Sequence, residues 1–172
     1  MTKLSIAEVD QLPADDFARR FGFLFEHSPW IVVAASRRRP FKSFAVMHSE
    51  LMSVVSSAGQ ATQMALLRAH PRLADKLAIA SGMTRESILE QASGGLDRLT
   101  PVEFATFHEL NVSYSDRFRF PFIIAVRLAG GKTEILKAMQ ARLLNDRETE
   151  FRSALTEVGK IVELRLADEV VQ

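Results

Sequence analysis

The chain has 172 residues, 47% of them hydrophobic and 25% charged, which suits one soluble globular domain with a core of its own. Lys and Arg number 22 against 21 Asp and Glu, a formal charge of +1, and this excludes the basic surplus of a general nucleic-acid binder. Cysteine is absent, so disulfides, thiolate metal sites, iron–sulfur clusters and a Cys nucleophile are excluded together.

A domain of this size buries roughly 70% of the surface its unfolded chain exposes, so it needs neither metal nor disulfide to stay folded. Glu8 and Asp10 interrupt the N-terminal stretch before it could form a secretory leader. The longest apolar runs, Trp30 to Ala35 and Pro121 to Val126, fall far short of the ~20 residues a membrane helix needs. The expectation is a cytoplasmic protein with no membrane or nucleic-acid partner.

Apolar periodicity predicts helices at about 13–26, 29–38, 43–57, 60–69, 84–93, 101–117, 132–145 and 147–170. Ser43, Thr84 and Thr100 stand where N-caps belong, and Pro101 occupies a first helical position. Gly94-Gly95 and Gly130-Gly131 punctuate helix ends. Phe118, Phe120, Phe122, Ile124 and Val126 alternate as a strand would, but Pro121 is misplaced in a central strand. The predicted fold is all-α, a single multi-helix domain over 1–172 with about eight helices.

Two polar residues interrupt apolar stripes. Asn111 lies among Phe104, Phe107, Tyr114 and Phe118, where a buried amide must find partners; it reads as a core Asn tying helices together. Arg165 continues the stripe of Phe151, Leu155, Val158 and Val162. Either it pairs with Glu169 one turn on, or its planar fork binds an anionic ligand.

Chemistry-bearing residues gather in two segments. Pro71 disfavours helical geometry at His70, so the preceding helix should stop there, leaving His70 at its C-terminus as a cap or a proton carrier. Ser87, Glu90 and Gln91 share one face of the helix capped by Thr84, either a solvated face or a binding face. His27, His48 and His108 are scattered, without the spacing of a metal site, and no Gly-rich loop has nucleotide-binding spacing.

The ordered set His70-Pro71, Ser87…Glu90-Gln91, Leu96…Leu99, Leu110-Asn111…Tyr114, Phe118-Arg119-Phe120-Pro121-Phe122 and Val126-Arg127 resembles the OHCU decarboxylase family, as do Ser28-Pro29-Trp30 and Arg39-Pro40-Phe41. OHCU is 2-oxo-4-hydroxy-4-carboxy-5-ureidoimidazoline. The resemblance covers about 17–170 and implies an all-α, cofactor-free homodimer that decarboxylates this small molecule to (S)-allantoin and carbon dioxide. Such an enzyme acts after urate oxidase and hydroxyisourate hydrolase.

It further implies that His70 and Glu90 are catalytic, and that Pro71, Ser87, Gln91, Phe122, Ile123, Ile124, Ala125, Val126 and Arg165 bind substrate. One departure stands out: the family commonly has Gly where this chain has Arg119, which matters if that backbone needs positive φ. The substrate carries its carboxylate beside a C=N bond and so supplies its own electron sink, which makes pyridoxal or thiamine unnecessary. On the residues alone, a helical interaction domain and a lyase or hydrolase for a related ureide stay open.

Overall fold

The helix caps set the element boundaries of the computed structural model, which describes residues 2–75 and 83–171. Ser43 Oγ accepts the Val46 amide at 3.2 Å and Thr84 Oγ1 the Ser87 amide at 3.4 Å. Thr100 and Glu103 close a reciprocal capping box at 3.3 and 2.8 Å. The α-helices among the described residues are α1 (Ile6–Gln11), α2 (Ala14–Phe21), α3 (Pro29–Ser36), α4 (Phe44–Ser57), α5 (Gln60–Ala69), α6 (Arg85–Ser93), α7 (Pro101–Phe118), α8 (Lys132–Arg142) and α9 (Arg147–Glu169). They contain no strand beyond a single bridge between Leu4 and Val170, as an all-α fold requires.

The largest departures from the periodicity lie near the N-terminus, while the helices predicted at 29–38 and 132–145 end slightly early, at Ser36 and Arg142. The helix predicted over 13–26 ends at Phe21 and continues as a 3-10 turn, Gly22–Leu24. The unpredicted α1 is opened by a Ser5–Glu8 capping box, too short for its apolar pattern to register. Among the described residues no helix is long and apolar enough to cross a membrane.

Close backbone contacts group the chain into two compact units, residues 1–66 with 159–172, and residues 67–158. In the first unit the fully buried Phe17, Phe21 and Phe41 pack together, with ring centroids 4.9 and 5.8 Å apart. Arg39 lies over the Phe17 ring at 5.0 Å. Its guanidinium donates to the carbonyls of Leu12 and Ser36, so one cation satisfies orphan carbonyls at the ends of α1 and α3.

The second unit is organised around Tyr114 of α7, whose ring meets Phe118 at 4.7 Å, Phe122 at 5.2 Å and Phe120 at 5.9 Å. Its hydroxyl donates to Glu150, a wholly buried carboxylate in the first turn of α9. Arg142 at the end of α8 meets the same carboxylate through Nε at 2.9 Å and Nη2 at 2.6 Å. Asn145 Nδ2 adds a bond at 2.7 Å. With this many donors a buried charge is tolerable, and the position near a helix N-terminus favours it further.

Tyr114 is the chain's only tyrosine. Burial, and then the hydrogen bond to Glu150, push its phenol well above the ordinary range. The unfolded phenol ionises near pH ~10, so above that pH the unfolded state sheds a proton that the folded state keeps. Stability is therefore complete below about pH 10 and falls as pH rises past it. An alkaline absorbance titration should show no phenolate until the helical circular dichroism is lost, and Tyr114→Phe should flatten the alkaline fall. Phenolate appearing while the fold is intact would contradict this placement.

Candidate active site

Helix α5 stops at Ala69, as Pro71 dictates, and the half-buried His70 closes its last turn by donating its backbone N–H to Leu67 O at 3.2 Å. Side chains hold the loop that follows. Gln91 Oε1 accepts the Ala74 amide at 2.9 Å, and Gln91 Nε2 donates to Arg72 O at 3.3 Å. Asn111 Nδ2 donates to Leu73 O between them at 2.8 Å. Asn111 thus ties a helix to a loop, where the sequence suggested a helix-to-helix tie. Ala74 is held at φ 57°, a left-handed conformation costly for a residue with a Cβ.

Helix α6 is inside out. Ser87 is buried at 6% exposure and Glu90 and Gln91 are half-buried, while the apolar Ile88 and Leu89 are 37% and 58% exposed. The reading of this polar face as solvated surface is overturned, because its apolar neighbours take the outside instead. Leu89 could have been buried had the helix rotated, so something other than apolar burial sets its orientation.

The third segment follows α7. Arg119 takes φ 68° and ψ 19°, the left-handed C-cap in which glycine is at ease. Arg68 Nε donates to Arg119 O at 2.9 Å and so ties the end of α5 to this turn. Beyond it, Ile123 O accepts from Arg142 Nη1 and the Ala125 amide donates to Glu157 Oε2, both at 2.8 Å. The amides of Ile123 and Ile124 donate to no acceptor among the described residues.

These ties join the segments that carry the predicted residues of the second unit. Gln91 joins α6 to the His70 loop, Arg68 joins that loop's helix to the Arg119 turn, and Gly94 joins α6 to Val126. The last contact is tight, since a Cβ built on Gly94 would sit 2.4 Å from Val126 Cγ1. A cavity of about 590 Å³ runs along the other side of α6, past Ile88, Leu96, Leu99 and Phe104. It shares only Gln91 with the predicted set, and its walls are mostly apolar, with the carboxylates of Asp75 and Asp97 among them.

Arg165 belongs to the first unit, 3% exposed. It donates to Phe23 O at 3.0 Å and lies 3.6 Å from the buried Glu26 carboxylate. The predicted pairing with Glu169 does not form; Glu169 binds Arg20 at 2.7 Å instead. Sequence reasoning missed Glu26, Arg142, Glu150 and Glu157, whose pairings do not follow the helical three- and four-residue spacing. Among the described residues no cluster of His, Asp and Glu could hold a metal.

A family model described as OHCU decarboxylase matches residues 10–167. A 2-oxo-4-hydroxy-4-carboxy-5-ureidoimidazoline decarboxylase of Haloferax volcanii is 41% identical over 98% of this chain and 97% of its own. A protein of that name from Halalkalicoccus jeotgali is 40% identical over 99% and 94%. The crystal structure of an (S)-allantoin synthase superposes with a TM-score of 0.77 at 26% identity, covering 97% of this chain, which spans 54% of that one. The chain belongs to the OHCU decarboxylase family.

Gly94→Ala should cost about 1–3 kcal/mol by overpacking against Val126, and should lower turnover by separating α6 from that segment; denaturant unfolding and initial rates check both. Arg119→Gly relieves a left-handed residue at the expense of unfolded-state entropy. It should gain about 0.5–1 kcal/mol in the same unfolding assay with turnover unchanged.

Proposed function

We propose that the chain removes the carboxylate of 2-oxo-4-hydroxy-4-carboxy-5-ureidoimidazoline to give (S)-allantoin and carbon dioxide, with His70 and Glu90 handling the protons. One observation carries this reading: the inverted helix α6, which turns Ser87, Glu90 and Gln91 inward at the expense of Ile88 and Leu89. Family membership supplies the reaction class.

The chemistry follows from the substrate. The bond from the ring carbon to its carboxylate breaks, carbon dioxide leaves, and the electron pair enters the adjacent C=N bond. The nitrogen takes up a proton, leaving an enol beside the ureido-bearing carbon. Protonation of that carbon on one face and loss of the enol hydroxyl proton give the ketone and a single hand of product. Counted from the carboxylate form, one proton is consumed.

A histidine titrates near neutral pH, so His70 can carry a proton between these positions. Glu90 orients His70 or accepts the hydroxyl proton, and Ser87 hydrogen-bonds the substrate. Gln91 carries a second duty, because both ends of its carboxamide already engage the loop after His70. Pro71 and the backbone of Phe122, Ile123, Ile124, Ala125 and Val126 line the site, where the Ile123 and Ile124 amides suit carbonyl oxygens. The residues assigned to proton transfer all belong to the second unit; Arg165 belongs to the first. We further propose, on the family resemblance, a cytoplasmic homodimer as the working form; the cysteine-free composition agrees with a reducing compartment.

The test generates the ureidoimidazoline from urate with urate oxidase and hydroxyisourate hydrolase, adds this protein and follows circular dichroism. Spontaneous decay yields racemic allantoin and no lasting signal. The wild type should give a growing signal of one sign, and His70→Ala should reduce the rate at least about 100-fold while keeping the fold. A racemic product at an unchanged rate would refute the assignment.

A further inference from the structure

The segment between Phe122 and Val126 is gripped at two successive peptide groups. Arg142 takes the Ile123 carbonyl and Glu157 takes the Ala125 amide, each at 2.8 Å. These groups flank Ile124, whose own amide and carbonyl bond to nothing among the described residues. Across a trans peptide unit the N–H and C=O point opposite ways, so the Ile124 N–H faces away from Arg142 and the Ile124 C=O away from Glu157. The two ionic side chains therefore leave the edge facing away from them to Ile124.

They also change what that edge offers. The carbonyl bound by Arg142 and the amide of Ile124 belong to one peptide unit. A cation on the oxygen polarises the unit and strengthens its N–H as a donor. The amide bound by Glu157 shares its unit with the Ile124 carbonyl, which an anion on the N–H strengthens as an acceptor. Arg142 cannot swing away, being held by Glu150 at 2.9 and 2.6 Å and stacked 4.5 Å from the Phe122 ring centre.

We propose that Arg142 and Glu157 are positioning residues that present the Ile124 N–H and C=O as a matched donor–acceptor pair for an amide or urea edge of the ligand. This rests on the reading that Phe122 to Val126 line the substrate site. Neither side chain touches the reacting atoms; both act through one backbone residue. The interaction serves ground state and transition state alike, so losing it raises KM and leaves kcat nearly unchanged.

Glu157 is the side to test, because Arg142 also neutralises Glu150. Glu157→Leu removes the acceptor and should raise KM, and weaken (S)-allantoin binding, by about tenfold with kcat within about twofold. Glu157→Gln keeps an oxygen for the Ala125 amide without the charge and should restore KM to within about threefold of wild type. A purely structural role would instead lower the melting temperature and the active fraction at constant KM. A folded Glu157→Leu that keeps the wild-type KM overturns the proposal, and should Glu157→Leu not fold, Glu157→Ala takes its place with the same two outcomes.

A separate measurement isolates the underlying reading: (S)-allantoin added to ¹⁵N-labelled wild type should shift the Ile123 and Ile124 amide signals. Unmoved signals sink the site assignment and the proposal with it. Shifted signals together with an unchanged KM sink the positioning role alone.

Discussion

A single buried carboxylate, Glu150, sets the terms for everything else in the second unit. A charge out of water is tolerated only with a close counter-ion and filled lone pairs, and Arg142, Tyr114 and Asn145 provide both. Those three come from α8, from α7 and from the turn before α9, so the requirement to neutralise one charge fixes where three helices meet. The guanidinium has a further nitrogen left over, and it goes to Ile123 O. Core electrostatics and the shape of the candidate site are thus one interaction seen from two ends. Breaking such a pair typically costs about 3–5 kcal/mol, a large share of the 5–15 kcal/mol that keeps an ordinary domain folded.

The site itself is joined by polar and steric ties rather than by apolar area. Gln91 and Asn111 hold successive residues of the loop after His70, Arg68 anchors the turn at Arg119, and Gly94 admits Val126 at close range. The polar ties fix backbone, which moves less than a side chain, and every tie joins segments remote in sequence. Two left-handed non-glycine residues, Ala74 and Arg119, sit where these ties converge, the kind of strain that persists only where its surroundings over-determine it.

What the sequence disclosed follows the range of the physics involved. Local signals were legible: the caps Ser43, Thr84 and Thr100, the stop at His70-Pro71, and the glycine-like demand at Arg119, seen through family resemblance. The capping box of Ser5 and Glu8 was also written out, but α1 is too short for periodicity to support it. Arg165 looked unusual from its stripe, yet its partner is Glu26, distant in the chain, and not the nearby Glu169. Glu150 stands among charged residues at the start of a helix with no local sign of burial, although it is the most consequential of them. Nothing local separates it from Glu148, which is exposed.

Helix α6 also bears on how the protein can change. A helix that buries a serine and half-buries a glutamate while showing solvent an isoleucine and a leucine is far from its stability optimum. Substitutions that restore ordinary amphipathicity, apolar inside and charged outside, are the ones selection for thermal robustness finds most readily. In this helix the inward positions are the ones assigned to the reaction. Heat tolerance and turnover therefore compete for the same few residues, and a hardier lineage must find its extra stability in the first unit or around the tyrosine cluster instead.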